Sequence, residues 1–196
     1  GGTTSAKAPG VGSWKRYETV RPTSDELRAW FTEATPDGLG VLCGAVSGNL
    51  ELVEYEDTET TVAAKALLEA IGLGYIWRKI EAGYSEATPG GGVHWLIRTE
   101  TPPEGNQKIA AMPCPGAPKC NKHVAGRPHV LIETRGEGGW VVVAPSAGGR
   151  DEHQSQNPYR LASGGFASVA VLTDEEHRLL FEALRSFTTE EAPKPR

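Results

Sequence analysis

The sequence predicts an α+β fold built on a mixed sheet. Three observations carry this reading. Strand-like and helix-like patterns are interspersed along the 196 residues. Two capping boxes mark helix starts. Two joins between apolar runs are short glycine-bearing turns of the hairpin kind.

Taken in order, Thr23-Ser24-Asp25-Glu26 puts a hydroxyl at a helix cap and a carboxylate three residues on. The helix it opens carries Leu27, Trp30 and Phe31 on one face and stops before Pro36. Apolar runs at 39–46 and 50–56 flank Ser47-Gly48-Asn49, which predicts a hairpin. Residues 60–71 predict a helix, with Val62, Ala66, Leu67, Ala70 and Ile71 at helical spacing and Gly72 and Gly74 ending it. Residues 75–80 read as a strand, and TPGGGVHWLIR at 88–98 as a glycine-rich turn feeding another. Residues 102–129 lack periodicity and predict a long loop. Strands at 130–135 and 139–144, around Gly136-Glu137-Gly138, predict a second hairpin. Residues 145–167 read as irregular. A second capping box, Thr173 to Glu176, opens a helix through Leu179, Leu180, Ala183, Leu184 and Phe187.

Composition bounds the class. Hydrophobic residues make up 38% and charged residues 23%, as in a globular chain with a core of its own. No run approaches the 18 or so apolar residues that span a bilayer, and no signal peptide opens the chain. Three cysteines are no disulfide framework, so a reducing cytoplasm is expected. The opening GGTTSAKAPG lacks a methionine and reads as the cut edge of a longer parent. The expected division is a catalytic domain over 1–188 and the start of a linker over 189–196. Net charge is −5, but residues 105–135 hold Lys108, Lys119, Lys122, Arg127 and Arg135 against one acid, Glu133.

Glu54 and Glu56 stand at i and i+2 at a strand end, so both point to one face. Two carboxylates that close repel, unless a cation sits between them. Hard oxygen ligands on a rigid strand suit Mg²⁺ or Mn²⁺. The pair also fits a strand tip running into solvent. Glu133 is a third acid, in the apolar run VLIETR, with Leu131 and Arg135 on its face. It fits a third metal ligand, or one wet face of an edge strand. Two metals on three carboxylates is an arrangement that nucleotidyl transfer uses. In GGGVHWLIR, the glycines allow close backbone approach to phosphate, and His94 fits a donor to a triphosphate oxygen or a structural histidine.

Taken together, VLCGAVSGNLELVEYE, TPGGGVHWLIR and VLIETRGEGGWVVVAPS resemble the primase–polymerase family of the archaeo-eukaryotic primase superfamily. They are similar in particular to replication proteins of actinobacterial phages and plasmids. The resemblance runs from about Lys7 to about Gly165. It implies an RRM-like core sheet with an added α/β unit, and template-directed DNA polymerase or primase activity in a bacterial host's cytoplasm. It implies DNA template, primer and nucleoside triphosphates as partners, and a helicase domain in the same parent. By position, Glu54, Glu56 and Glu133 match the metal-binding acids, and His94 the histidine on the nucleotide phosphates. Arg135, Gly91, Gly92 and Ser146 match nucleotide-binding positions. The family commonly has Asp where this chain has its three Glu residues, and Ser where it has Gly90.

Cys114, Cys120, His123 and His129 fall within sixteen residues at spacing C-x5-C-x2-H-x5-H, which predicts a structural Zn²⁺ pinning the loop. The spacing is not a standard zinc pattern, and a basic loop with nearby thiols fits it too. Lys108, Lys119, Lys122 and Arg127 are candidates for template or primer phosphates, with Lys7, Lys15 and Arg16 as a second basic edge. Trp14, Trp95 and Trp140 fit base stacking or core packing, and Tyr55 fits the core. Two other readings use the same residues: a metal-dependent nuclease, and a DNA-binding replication module without catalysis.

Overall fold

The computed structural model describes residues 10–11, 13–33, 38–114, 128–147 and 157–189. Its elements are helices α1 (Ser24–Arg28), α2 (Thr58–Ala70), α3 (Gly74–Glu81) and α4 (Asp174–Arg185). The strands are β1 (Leu39–Leu42), β2 (Leu50–Tyr55), β3 (Tyr84–Ala87), β4 (Val93–Thr99), β5 (Lys108–Met112), β6 (His129–Arg135), β7 (Trp140–Val143), β8 (Arg160–Ser163) and β9 (Ala170–Leu172). A large sheet runs in the order β5-β6-β2-β4-β3-β8, and β9 pairs with β4. All its pairs are antiparallel except β4–β9, which is parallel. β1 and β7 form a separate two-stranded sheet. The fold is α+β with a mixed sheet, as the patterning predicts.

Alternation along the strands gives the large sheet two different faces. Val53, Tyr55, Trp95, Ile97 and Ile132 pack against Ala64 and Leu68 of α2, Ile76, Trp77 and Ile80 of α3, and Leu180, Phe181 and Leu184 of α4. Trp77 meets Trp95 edge-on at 4.2 Å between ring centroids. On the opposite face Leu50, Leu52, Tyr84 and Leu96 pack against Val141 and Val143 of the small sheet. Both capping boxes form: Thr23 with Glu26, and Thr173 with Glu176.

Several sequence expectations are corrected. Residues 75–80 belong to helix α3, where Ile76 and Ile80, one turn apart, face the core. A short apolar run fits either period, and the sheet below decides it. The two expected hairpins do not pair as ladders. β6 lies between β2 and β5, while β7 leaves to pair with β1. β1 and β2 share only the bridge Gly44–Leu50, because Gly44 (φ +103°) and a short 3-10 turn send the chain between sheets. The expected long loop contains β5, and the segment read as irregular contains β8. Within α2 the buried face is Thr60, Ala64 and Leu68, while Val62 and Ile71 are exposed. Leu27 and Phe31 are also exposed, and Trp30 packs edge-on against Tyr17.

Candidate active site

Five strands each bring one polar residue to a single row across the large sheet. Lys108 on β5, Glu133 on β6, Glu54 on β2, His94 on β4 and Glu86 on β3 are successive cross-strand partners. The local cause is visible along β2. Leu50 and Leu52 are buried under the small sheet, and Glu54 is the next residue on that face. Glu56 lies just past the strand, its N–H donating to the Leu131 carbonyl at 3.0 Å. Glu54, Glu56 and Glu133 each offer a carboxylate oxygen within 4.8 Å of the others, and all three are half-buried. Among the described residues no other group of His, Cys, Asp and Glu is placed to hold a metal.

The electrostatics of this cluster favour a cation. Burial pushes the Glu133 carboxyl above its ordinary pKa, Arg135 pulls it down, and the charges of Glu54 and Glu56 push it up again. Arg135, on the same face of β6, reaches Glu133 Oε1 at 2.5 Å. Like charges this close disfavour one another's ionisation, which a divalent ion relieves.

His94 is 3% exposed. Its Nε2 lies 3.5 Å from Glu54 Oε1 and its Nδ1 2.7 Å from Glu86 Oε1. Burial lowers its pKa, but the two carboxylates outweigh that and raise it to about 9. At neutral pH the ring is therefore an imidazolium, donating through both nitrogens. Glu86 escapes sequence reasoning because the short strand β3 goes unrecognised. One signal was available: Glu86 and His94 stand four residues either side of Gly90, at the centre of the TPGGG turn.

The glycine loop works differently from expectation. The N–H groups of Gly91 and Gly92 both donate to Thr88, to its carbonyl at 3.1 Å and its Oγ1 at 3.0 Å. They close the turn and do not point outward as a phosphate cradle. Gly92 instead lets the loop lie on the strand end, since a Cβ there would come 2.4 Å from the Tyr55 carbonyl oxygen. Gly91 (φ +90°) has open space beside it.

Ser146 is buried in the turn after β7. Its Oγ accepts from the Leu39 N–H at 2.7 Å, and its one hydrogen has the Leu39 and Val143 carbonyls within reach, holding β1 to β7. Lys108 is exposed on the outer strand β5, in register with Glu133. Cys114 and His129 lie near one end of the β5–β6 ladder, where Met112 pairs with His129. Cys120 and His123, the other expected zinc ligands, lie outside the described residues, as do Lys119, Lys122, Arg127 and Lys7. Trp95 belongs to the core, as does Tyr55. Trp14 and Trp140 pack on each other at 6.5 Å.

A carboxylate cluster flanked by an imidazolium and a guanidinium, on the open part of a sheet face, suits proteins that handle phosphates beside divalent cations. The chain belongs to the family of bifunctional DNA primase/polymerase N-terminal domains, whose model matches residues 2–175. It is a nucleotidyltransferase-family domain in that broad sense, with DNA and nucleotides as the general partners. No curated protein matches the chain. No helix among the described residues is long and apolar enough to cross a membrane.

Proposed function

We propose that this chain is a template-directed DNA polymerase or primase that joins nucleotides by two-metal catalysis, in phage or plasmid replication. The observation that carries the reading is the meeting of Glu54, Glu56 and Glu133 within 4.8 Å, beside His94 and Arg135. The donor set is all carboxylate oxygen, which fits Mg²⁺ or Mn²⁺ better than a softer metal.

Glu54, Glu56 and Glu133 are the residues that would hold the ions. Bound there, the metals would activate the primer 3′-hydroxyl and offset charge on the leaving pyrophosphate. His94, donating through Nε2, faces the cluster and suits the triphosphate of the incoming nucleotide. Arg135 orients the Glu133 carboxylate and supplies a second cation on the β6 side of the cluster, across β2 from His94. Lys108 extends the row toward the β5 edge, where a template or primer phosphate would lie. Glu in place of Asp adds one methylene to each ligand arm, which the half-buried carboxylates accommodate. The spacing of Cys114, Cys120, His123 and His129 supports a structural Zn²⁺ as a further proposal, of whose ligands Cys114 and His129 lie near one end of the β5–β6 ladder.

Primer extension tests the reading. The chain is given a labelled primer–template, dNTPs and Mg²⁺ or Mn²⁺, beside the double variant Glu54→Ala/Glu56→Ala. Template-copied extension that falls by roughly 10²-fold or more in the variant is expected, the scale of losing preorganised charge stabilisation. Extension that survives the double substitution would refute the role of these acids. DNA binding without extension identifies a binding module, and a shortened primer a nuclease.

A further inference from the structure

We infer that Glu86 is the positioning residue of His94: it fixes the ring through Nδ1 and so aims Nε2 at the carboxylate cluster. The inference rests on the nucleotide role proposed above for His94, and it goes beyond that role.

Glu86 is fully buried on β3, directly opposite His94 on β4. Every contact of its carboxylate has a direction. Oε1 takes the Nδ1 hydrogen of His94 at 2.7 Å. Oε2 takes the Tyr84 hydroxyl at 2.6 Å and the Ala144 N–H at 2.6 Å. A carboxylate can only accept, so Nδ1 must carry a hydrogen whatever Nε2 does. The Ala144 N–H is a backbone donor that cannot reverse, and it pins Oε2. Tyr159 lies 5.7 Å from the imidazole, centroid to centroid, on the ring's side. The ring is thus held at one nitrogen by Glu86 and flanked by an aromatic neighbour, with Nε2 left toward Glu54.

This arrangement explains why the buried group is a carboxylate. An amide of the same shape presents one acceptor and one donor. Glu86→Gln must turn its NH₂ toward either His94 Nδ1 or the Ala144 N–H, and each choice breaks a bond. The contact also runs to a distance. Ala144 follows β7, so the turn that closes the small sheet shares one carboxylate with the histidine of the large one.

Two readouts test the inference, one independent of activity. In ¹⁵N-histidine NMR of the wild type, with His94 assigned through His94→Gln, a slowly exchanging, strongly shifted Nδ1–H is expected. It should persist in Glu54→Ala/Glu56→Ala and be lost or clearly weakened in Glu86→Gln, whose amide either turns its NH₂ to Nδ1 or offers it a neutral oxygen in place of a carboxylate; an unchanged Nδ1–H in Glu86→Gln overturns the inference. In primer extension, Glu86→Gln should raise the nucleotide KM on the order of tenfold, the scale for partners that orient a histidine. It should cause no further rise in a His94→Gln background. Additive effects in that background, or no Nδ1–H signal in the wild type, overturn the inference. If Glu86→Gln does not fold, Glu86→Asp replaces it: both acceptors remain but withdraw by a methylene. A weakened Nδ1–H signal then supports the inference and an unchanged one overturns it. A wild type that extends no primer counts against the polymerase reading alone, and the resonance then decides the inference.

Discussion

Glu133 shows how single residues set the chemistry of the row. Its carboxyl is held above the ordinary range by burial, against the pull of Arg135 and with the push of Glu54 and Glu56. The sign of the linkage follows. The folded state holds this proton more tightly than the unfolded chain, so the stability it brings is full in acid and lost as pH rises through the raised pKa. Glu133→Gln should therefore raise the melting temperature of the metal-free protein at neutral pH by a few degrees. The same variant should lose most of the stabilisation that Mn²⁺ gives. Thermal melts with and without metal check both, and a lower metal-free melting temperature would contradict the electrostatic account. His94 has the same sense, in a higher pH window. Its folded pKa of about 9 exceeds the ordinary 6.5, so its contribution is complete below 6.5 and is lost as pH rises through about 9. Glu54, Glu56, Glu133 and His94 were legible in the sequence because a charged residue inside an apolar alternation stands out. Glu86 was not, because its strand is four residues long and its partner lies across a turn.

At the scale of elements, the small sheet packs over Leu50, Leu52, Tyr84 and Leu96 of the working face and leaves the acids half-buried. Ser146 holds that cover in place through the Leu39 N–H. Ser146→Ala would leave this donor without its acceptor, at a cost of about 1–2 kcal/mol. Amide hydrogen exchange should then speed up at Leu39 and its β1 neighbours, and much less in β2 and β4. Uniform acceleration across both sheets would show that Ser146 acts on the whole fold. The helices with capping boxes were legible because their start is written in local hydrogen bonds. Helix α3 and the two non-pairing hairpins were not, because turn residues announce a reversal without naming the strand that will be met afterwards. Gly44 and the turn behind it send β1 to β7, and no local signal in β1 names β7 as the partner.

For the whole molecule, one sheet carries a packed helical face and a polar working face. A cation held by acids from two strands of that sheet should stabilise the entire fold by mass action. At 100 times its dissociation constant, Mn²⁺ adds about 2.7 kcal/mol. For a chain of this length that is a rise of roughly 5–10 °C in melting temperature. Glu54→Ala/Glu56→Ala should abolish the rise, and an equal rise in the double variant would place the metal elsewhere. The sequence by itself determined the α+β class, the starts of the two capped helices, the inward-facing residues of β2, and Glu54, Glu56, Glu133 and His94. These are local properties: a period, a cap, a charge where apolar residues alternate. Only the tertiary structure decided which strands pair, that Glu133 and His94 flank Glu54, that the glycine loop rests on Tyr55, and that Glu86 holds His94. Each of these depends on register between segments distant in the chain, and register is settled by which faces can be buried together.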